Sequence, residues 1–385
     1  MRKIAVFTGT RAEYGLLKGV FLGIMNRKDC SLHSIASGTH LDSRYGATIE
    51  DFLIDGIAVH DCADVLASSN PVGVCNTIGL GTIKYAAILE KSKPDLLVVL
   101  GDRYESFAIA AVATVMRIPI AHIHGGEATE GLIDEAFRHS ITKMSYLHFT
   151  SCETYRRRVI QLGEAPKRVF TVGSLGVENA LNMSLLTPKD VHDELGLDYG
   201  VPYMVCTLHP VTLTAVPAKD QVSCVLQALE NFPNYAIIFT GANADPGGGE
   251  INDILRKHVA NHTNARFFMS LGQQRYFSTV KFAACVLGNS SSGIIEAPCF
   301  HVPVLDIGDR QKGRERASSV LHCEQSSDAI INALSFALSN EYQEQNGIVS
   351  SPYDIPNTAK NIVDVIASYP LENVLCKPFY NIELP

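Results

Sequence analysis

No C-x-x-C pair occurs among the ten cysteines, which lie scattered along the 385 residues. That spacing indicates neither a zinc site nor a disulfide framework, and reduced cytoplasmic thiols are the simpler reading. A basic excess is missing too. The net charge of −8 and the pI near 5.9 argue against a nucleic-acid partner, which needs a basic face. A small anion could still be held by a local arginine cluster. No stretch approaches the ~20 apolar residues of a membrane span, so no membrane partner is expected. The apolar run after Arg2 and Lys3 is broken at Thr8, Arg11 and Glu13, too early for the apolar core of a signal peptide. A cytoplasmic protein is therefore expected. The first strand is not followed by G-x-G-x-x-G, which lowers the odds of NAD or FAD. Neither a 20-to-50-residue repeat nor a low-complexity tract is visible.

What is there is 46% hydrophobic and 19% charged, an ordinary globular composition. The length suggests two domains. Short apolar runs alternate with amphipathic stretches. Candidate strands are 4–8, 31–36, 96–100, 118–123, 147–150 and 169–172, with helices predicted over 106–116, 134–144 and 153–162, the last stopped by Gly163. This βαβ rhythm predicts a parallel sheet covered on both faces. Residues 173–202 carry glycines and prolines without a clear strand. A second series follows at 203–208, 236–240, 266–268, 285–287 and 302–305. The expected class is α/β, with two doubly wound Rossmann-like domains, one over 1–175 and the other over 200–355. Residues 356–385 are expected to form a C-terminal helix and tail that could pack back on the first domain. The ligand is expected in the interdomain cleft, since such sheets bind at the carboxyl ends of their strands.

The polar residues at those ends each allow two readings. Gly288-Asn-Ser-Ser-Ser-Gly-Ile-Ile-Glu296 leaves a strand and opens a helix, where exposed amides suit a phosphate, though such a turn also serves as a plain N-cap. Glu296 lies about one turn on, where a carboxylate could take ribose hydroxyls. Arg11, in Thr8-Gly-Thr-Arg-Ala-Glu-Tyr-Gly15, is either a loop arginine or a diphosphate partner. Asp102, in Gly101-Asp102-Arg103, could cap the following helix or face the ligand. His122-Ile-His124-Gly-Gly-Glu127 is dense in titratable groups, and its glycines would let backbone approach a ligand. His122 and His124 could hold a metal, but strand alternation alone puts them on one face. Asp134 and Arg138 share a helix face, as an ion pair or as groups aimed at a ligand. His209, before Pro210, is placed to donate to a phosphate or to move a proton, or is a satisfied structural histidine.

Taken in order, these strings resemble the UDP-N-acetylglucosamine 2-epimerase family, and more narrowly its hydrolysing branch that feeds sialic acid synthesis. Ile133-Asp-Glu-Ala-Phe-Arg-His-Ser-Ile-Thr-Lys143 and Ile307-Gly-Asp-Arg-Gln-Lys-Gly-Arg314 complete the set, so the similarity runs from about residue 3 to about residue 322. The resemblance implies the glycosyltransferase-B architecture. It implies that Arg11, Arg103, Asn243, Ser290, Ser291, Glu296 and Arg310 hold UDP, with His209 at the departing diphosphate; Arg138 is expected among the UDP-binding residues too. It assigns acid–base work to Asp102 and Asp134. Many members carry Glu where this chain has His124, so the second acid–base group is either His124 or Glu127. The implied reaction turns UDP-N-acetylglucosamine and water into N-acetylmannosamine and UDP, through a 2-acetamidoglucal, with no metal or redox cofactor. The same motifs serve UDP-2,4-diacetamido-2,4,6-trideoxyglucose on the legionaminic acid route. A UDP-sugar-dependent glycosyltransferase is the alternative of another class. A homodimer or homotetramer is expected.

Overall fold

The computed structural model describes residues 1–43, 46, 48–68, 70–130, 132–211, 216–242, 247–345, 349–371 and 376–383. The chain divides into two compact units. Met1–Glu127, Asp134–Glu178 and Ile355–Pro385 form the first, Ala128–Ile133 and Asn179–Asp354 the second.

The first unit is built on a seven-stranded parallel sheet: β1 (Arg2–Thr8), β2 (Cys30–Ser37), β3 (Asp61–Ala63), β4 (Leu96–Leu100), β5 (Ile120–Ile123), β6 (Leu147–Thr150) and β7 (Val169–Thr171), in the order β3-β2-β1-β4-β5-β6-β7. The strands are apolar throughout because both faces are covered. Ile4, Val6, Leu96 and Val98 enter one core, while Ala5, Phe7, Leu97 and Val99 enter the other. The helix Arg11–Met25 packs Leu17, Val20, Phe21 and Ile24 into the first core. The helix Thr358–Ser368 adds Ile362, Val363 and Ile366 to it. A Cβ at Gly23 would lie 2.9 Å from Val363 Cγ2, so a bare backbone is what lets these two helices touch. Further along, Lys377 Nζ donates to Glu164 Oε1 at 2.8 Å and to the carbonyls of Lys143 and Ser145 at 2.7 Å each.

One helix corrects the expectation drawn from hydropathy. Pro71–Ser92 has the length and apolarity to cross a bilayer. One side of it packs on the second core, where Tyr85 and Leu89 are buried and Tyr85 meets Phe7 edge-on at 5.3 Å, while Val72 and Ile83 are exposed.

The second unit holds a six-stranded parallel sheet: β8 (Tyr203–Thr207), β9 (Ala236–Thr240), β10 (Ala265–Phe268), β11 (Cys285–Gly288), β12 (Val304–Ile307) and β13 (Val320–Cys323), in the order β10-β9-β8-β11-β12-β13. Each sheet reverses its strand order once, beside β1/β4 and beside β8/β11. Two strands are additions to the sequence reading. β3 and β13 are short, half-exposed edge strands, of only three and four residues, each with a polar residue in it (Asp61 and His322). Two others start later than expected. β5 begins after Pro119 and β12 after Pro303, since proline has no N–H to give the ladder. The strandless stretch after residue 173 contains the helices Leu175–Asn182 and Pro188–Leu195. The second has a Thr187/Asp190 capping box and ends on Gly196 in the left-handed region.

Candidate active site

In the first unit the chemistry-bearing side chains follow β1, β4 and β5. Thr10 caps the helix Arg11–Met25, and Glu13 closes a capping box by accepting from the backbone N–H groups of Gly9 (2.7 Å) and Thr10 (3.1 Å). Arg11 is the first helical residue, about half exposed, with its Nε 3.2 Å from Asp51 Oδ2. Beneath the turn, the guanidinium of Arg103 meets Glu105 at 3.2 and 3.3 Å, the paired geometry that suits a carboxylate. Burial pushes the Glu13 carboxyl up to about 7, with Arg103 pulling the other way. Glu13 Oε1 is buried without a hydrogen-bond partner.

Asp102 does not cap the following helix. Arg103 occupies the N-cap, and Asp102 Oδ2 accepts from Nη2 of Arg138. Arg138 is 1% exposed, and its Nη1 also donates to Glu135 Oε2 at 2.5 Å and to the Glu127 carbonyl at 3.0 Å. The helical partner that the geometry gives Arg138 is thus Glu135, one residue after Asp134. Asp134 itself opens that helix and is half-buried. His139 reaches the other Glu135 oxygen, Nε2 to Oε1 at 3.1 Å.

The two histidines of the β5 motif separate in role. His122 is fully buried; Nε2 donates to the Gly101 carbonyl at 2.7 Å and Nδ1 accepts from Thr142 Oγ1 at 3.1 Å. Burial holds it neutral, at about 3. With both nitrogens engaged, it is not available to a metal. His124 lies one residue past the strand with φ +65°, a left-handed conformation that non-glycine residues adopt at a cost. Its Nδ1 is 3.7 Å from Glu127 Oε1, which also accepts from Ser151 Oγ at 3.0 Å. The two glycines are also required by packing. A Cβ at Gly126 would lie 2.5 Å from the Tyr155 carbonyl oxygen, and one at Gly125 2.9 Å from His122 Nδ1.

In the second unit the polar ends of β8, β11 and β12 are joined by Asn289. Its side chain accepts from the His209 N–H at 2.7 Å and donates to the His209 carbonyl at 2.8 Å. Its own carbonyl accepts from Arg310 Nη1 at 3.1 Å and Gln311 Nε2 at 3.0 Å. His209, Asn289, Arg310 and Gln311 are all buried, and burial together with Arg310 keeps the His209 imidazole well below the usual range, hence neutral. Ser290 precedes a helix of only five residues, Ser291–Ile295, and its hydroxyl makes no cap bond. A helix that short has little dipole, so any anion binding there rests on the turn's amides. Ser290, Ser291 and Glu296 are half-buried. Asn243 lies outside the described residues.

Glu13, Glu105, Glu135, Asn289 and Gln311 take part in these networks without having been singled out as site residues. Two of them carried a local signal: Glu13 in the Thr-x-x-Glu spacing of a capping box, and Glu135 three residues before Arg138 on one helix. Among the described residues, no three His, Cys, Asp or Glu side chains gather as a metal site would require.

Residues 23–367 match the family described as UDP-N-acetylglucosamine 2-epimerase. The chain belongs to that family. Within it, the chain is a member of the hydrolysing UDP-sugar 2-epimerases. It is 40% identical over 324 residues, 84% of each chain, to the GDP/UDP-N,N'-diacetylbacillosamine 2-epimerase (hydrolyzing) of Campylobacter jejuni. It is 36% identical to polysialic acid biosynthesis protein P7 of Escherichia coli, covering 99% of this chain and 98% of that one. The UDP-GlcNAc 2-epimerase of Neisseria meningitidis, solved bound to UDP-GlcNAc, superposes with a TM-score of 0.81 at 18% identity, over 95% of this chain and 99% of the other. The family member described here therefore shares the glycosyltransferase-B-type α/β fold of such epimerases, with its two parallel sheets.

Proposed function

We propose that this chain hydrolyses a UDP-linked 2-acetamido sugar with inversion at C2, releasing UDP and the free epimerised sugar. The observation that carries the reading is the linkage of the strand-end motifs around Asp102 by one buried arginine, in a chain of this family. The C2 hydrogen is not next to a carbonyl, so a base alone cannot remove it at a useful rate. Cleavage of C1–O comes first: UDP takes the bonding pair and an oxocarbenium-like centre forms at C1. Loss of the C2 proton then gives the 2-acetamidoglucal. Water adds at C1 as a proton returns to C2 on the opposite face. Asp102 and Asp134, with His124 or Glu127, handle the protons. Arg11, Arg103, Arg310, His209 and the amides at Ser290 and Ser291 offset the charge on the departing diphosphate, and Glu296 takes the ribose.

UDP-N-acetylglucosamine is the first substrate to test, and the polysialic acid relative supports it. The diacetylbacillosamine relative supports a second, the UDP-linked 2,4-diacetamido-2,4,6-trideoxy sugar. Incubation with each UDP-sugar in deuterated water, without acceptor, followed by NMR, separates them. The true substrate yields a free 2-epimerised sugar carrying deuterium at C2. Inert UDP-sugars that turn over only when a sugar acceptor is added would instead identify a transferase.

The ten cysteines, none of them in a disulfide, support a cytoplasmic setting. A homo-oligomer is supported by Val72 and Ile83, about 70% exposed on the helix Pro71–Ser92. Sedimentation at a single-chain mass of 41.9 kDa would refute it.

A further inference from the structure

We propose that Arg138 is a positioning residue for the acid–base groups and not a ligand of the nucleotide. The inference rests on the epimerase reading and replaces the expectation that this arginine holds UDP. Three observations carry it. The guanidinium is 1% exposed, so a diphosphate has almost no surface of it to meet. Its Nη2 is bound to Asp102, just past β4, and its Nη1 to Glu135, in the first turn of the helix Asp134–Met144. That same Nη1 donates to the Glu127 carbonyl, in the segment after β5 that also carries His124.

One planar fork thus fastens three separate pieces of chain. Each of them bears a group assigned to proton transfer: Asp102, Asp134 beside Glu135, and His124 with Glu127. A buried cation has to be paired, and the carboxylates of Asp102 and Glu135 pair this one. A compact ammonium could not span the same three acceptors, because the reach depends on the width and flatness of the fork. Asp102 keeps 27% of its side chain exposed while one oxygen is anchored inside, as a proton carrier fixed in direction must.

The test uses Arg138→Lys and Arg138→Ala in the full chain, with turnover, UDP affinity by calorimetry, and circular dichroism measured on both. We expect kcat to fall by ~10²-fold or more, since a misplacement of about 1 Å costs that much. UDP affinity should stay within about twofold of wild type. Free guanidinium at non-denaturing, low-millimolar concentration should restore about tenfold of the Arg138→Ala rate. A tenfold or greater loss of UDP affinity in a folded variant would overturn the inference, as would unchanged kcat.

A second measurement needs no variant. Phenylglyoxal treatment of the wild type with peptide mapping should leave Arg138 unmodified with or without UDP. Modification that UDP blocks would make it a nucleotide ligand. If the wild type turns over neither UDP-sugar, the epimerase reading fails, while the affinity and mapping arms still decide whether Arg138 meets UDP.

Discussion

Asn289 offers the sharpest test of how the second unit builds its polar end. It is 3% exposed, and its amide binds both backbone groups of His209, as a neighbouring strand would. Asn289→Ala leaves the His209 N–H and C=O buried without these partners. At ~1–3 kcal/mol for each stranded group, the cost is roughly 2–6 kcal/mol. Asn289→Asp keeps the acceptor for His209 N–H but sets a second carboxylate oxygen against the His209 carbonyl, 2.8 Å from the atom it replaces. A stranded buried charge costs about 3–5 kcal/mol, reduced here by Arg310 nearby. Both losses are large beside a total stability of roughly 5–15 kcal/mol.

The chain contains no tryptophan, so urea unfolding is best followed by circular dichroism. With m near ~2 kcal/mol/M, a 3 kcal/mol loss lowers the midpoint by about 1.5 M. Two units can unfold in two steps, and only the step belonging to the second unit should move. UDP affinity should fall by about tenfold or more, because His209 and Arg310 both lose their fixed frame. An Asn289→Asp protein with the wild-type midpoint and wild-type UDP affinity would refute the reasoning.

Glu13 gives a pH signature: its folded carboxyl titrates near 7 instead of 4.5, so the native state binds the extra proton and stability declines as pH rises from about 4.5 to 7, by ~3 kcal/mol in all. Glu13→Gln should flatten that decline, with its advantage over wild type growing from pH 5 to pH 8; parallel stability curves would count against the buried carboxyl. Gly288 sits at φ +128° with any Cβ 2.0 Å from the Thr207 carbonyl oxygen, so Gly288→Ala must push β11 from β8 and should cost roughly 3 kcal/mol or more. Gly293→Ala is its control, since that Cβ would meet Val304 at 3.5 Å, an ordinary contact, and the two variants should differ widely in thermal midpoint; equal midpoints would sink the argument. His124→Gln and Glu127→Gln, compared side by side, should identify the second proton carrier by a loss of ~10²-fold or more in turnover at one position only. Mild and equal losses would leave Asp102 and Asp134 as the acid–base pair.

The central strands were legible in the chain because a strand covered on both faces has to be apolar throughout, as Leu96–Leu100 is. The edge strands Asp61–Ala63 and Val320–Cys323 are only three and four residues long and hold Asp61 and His322, since a strand with one neighbour and partial exposure tolerates polar residues. Local signals were equally readable. Gly163 ends the helix Glu153–Gln161 with φ +89°, and the ordered motifs identified the family before any coordinate was known.

Partnership was not legible. Spacing along a helix offered Asp134 to Arg138, but the fold supplies Glu135 from the same helix and Asp102 from 36 residues away. Alternation put His122 and His124 on one face, but β5 ends at Ile123 and the left-handed turn at His124 breaks the alternation there. Sequence by itself determined which segments must be buried and which motifs end the strands, because burial and turns are set by neighbours a few residues apart. Only the tertiary structure decided which carboxylate holds which arginine and which histidine stays neutral, because pairing and desolvation depend on groups that meet across the sheet.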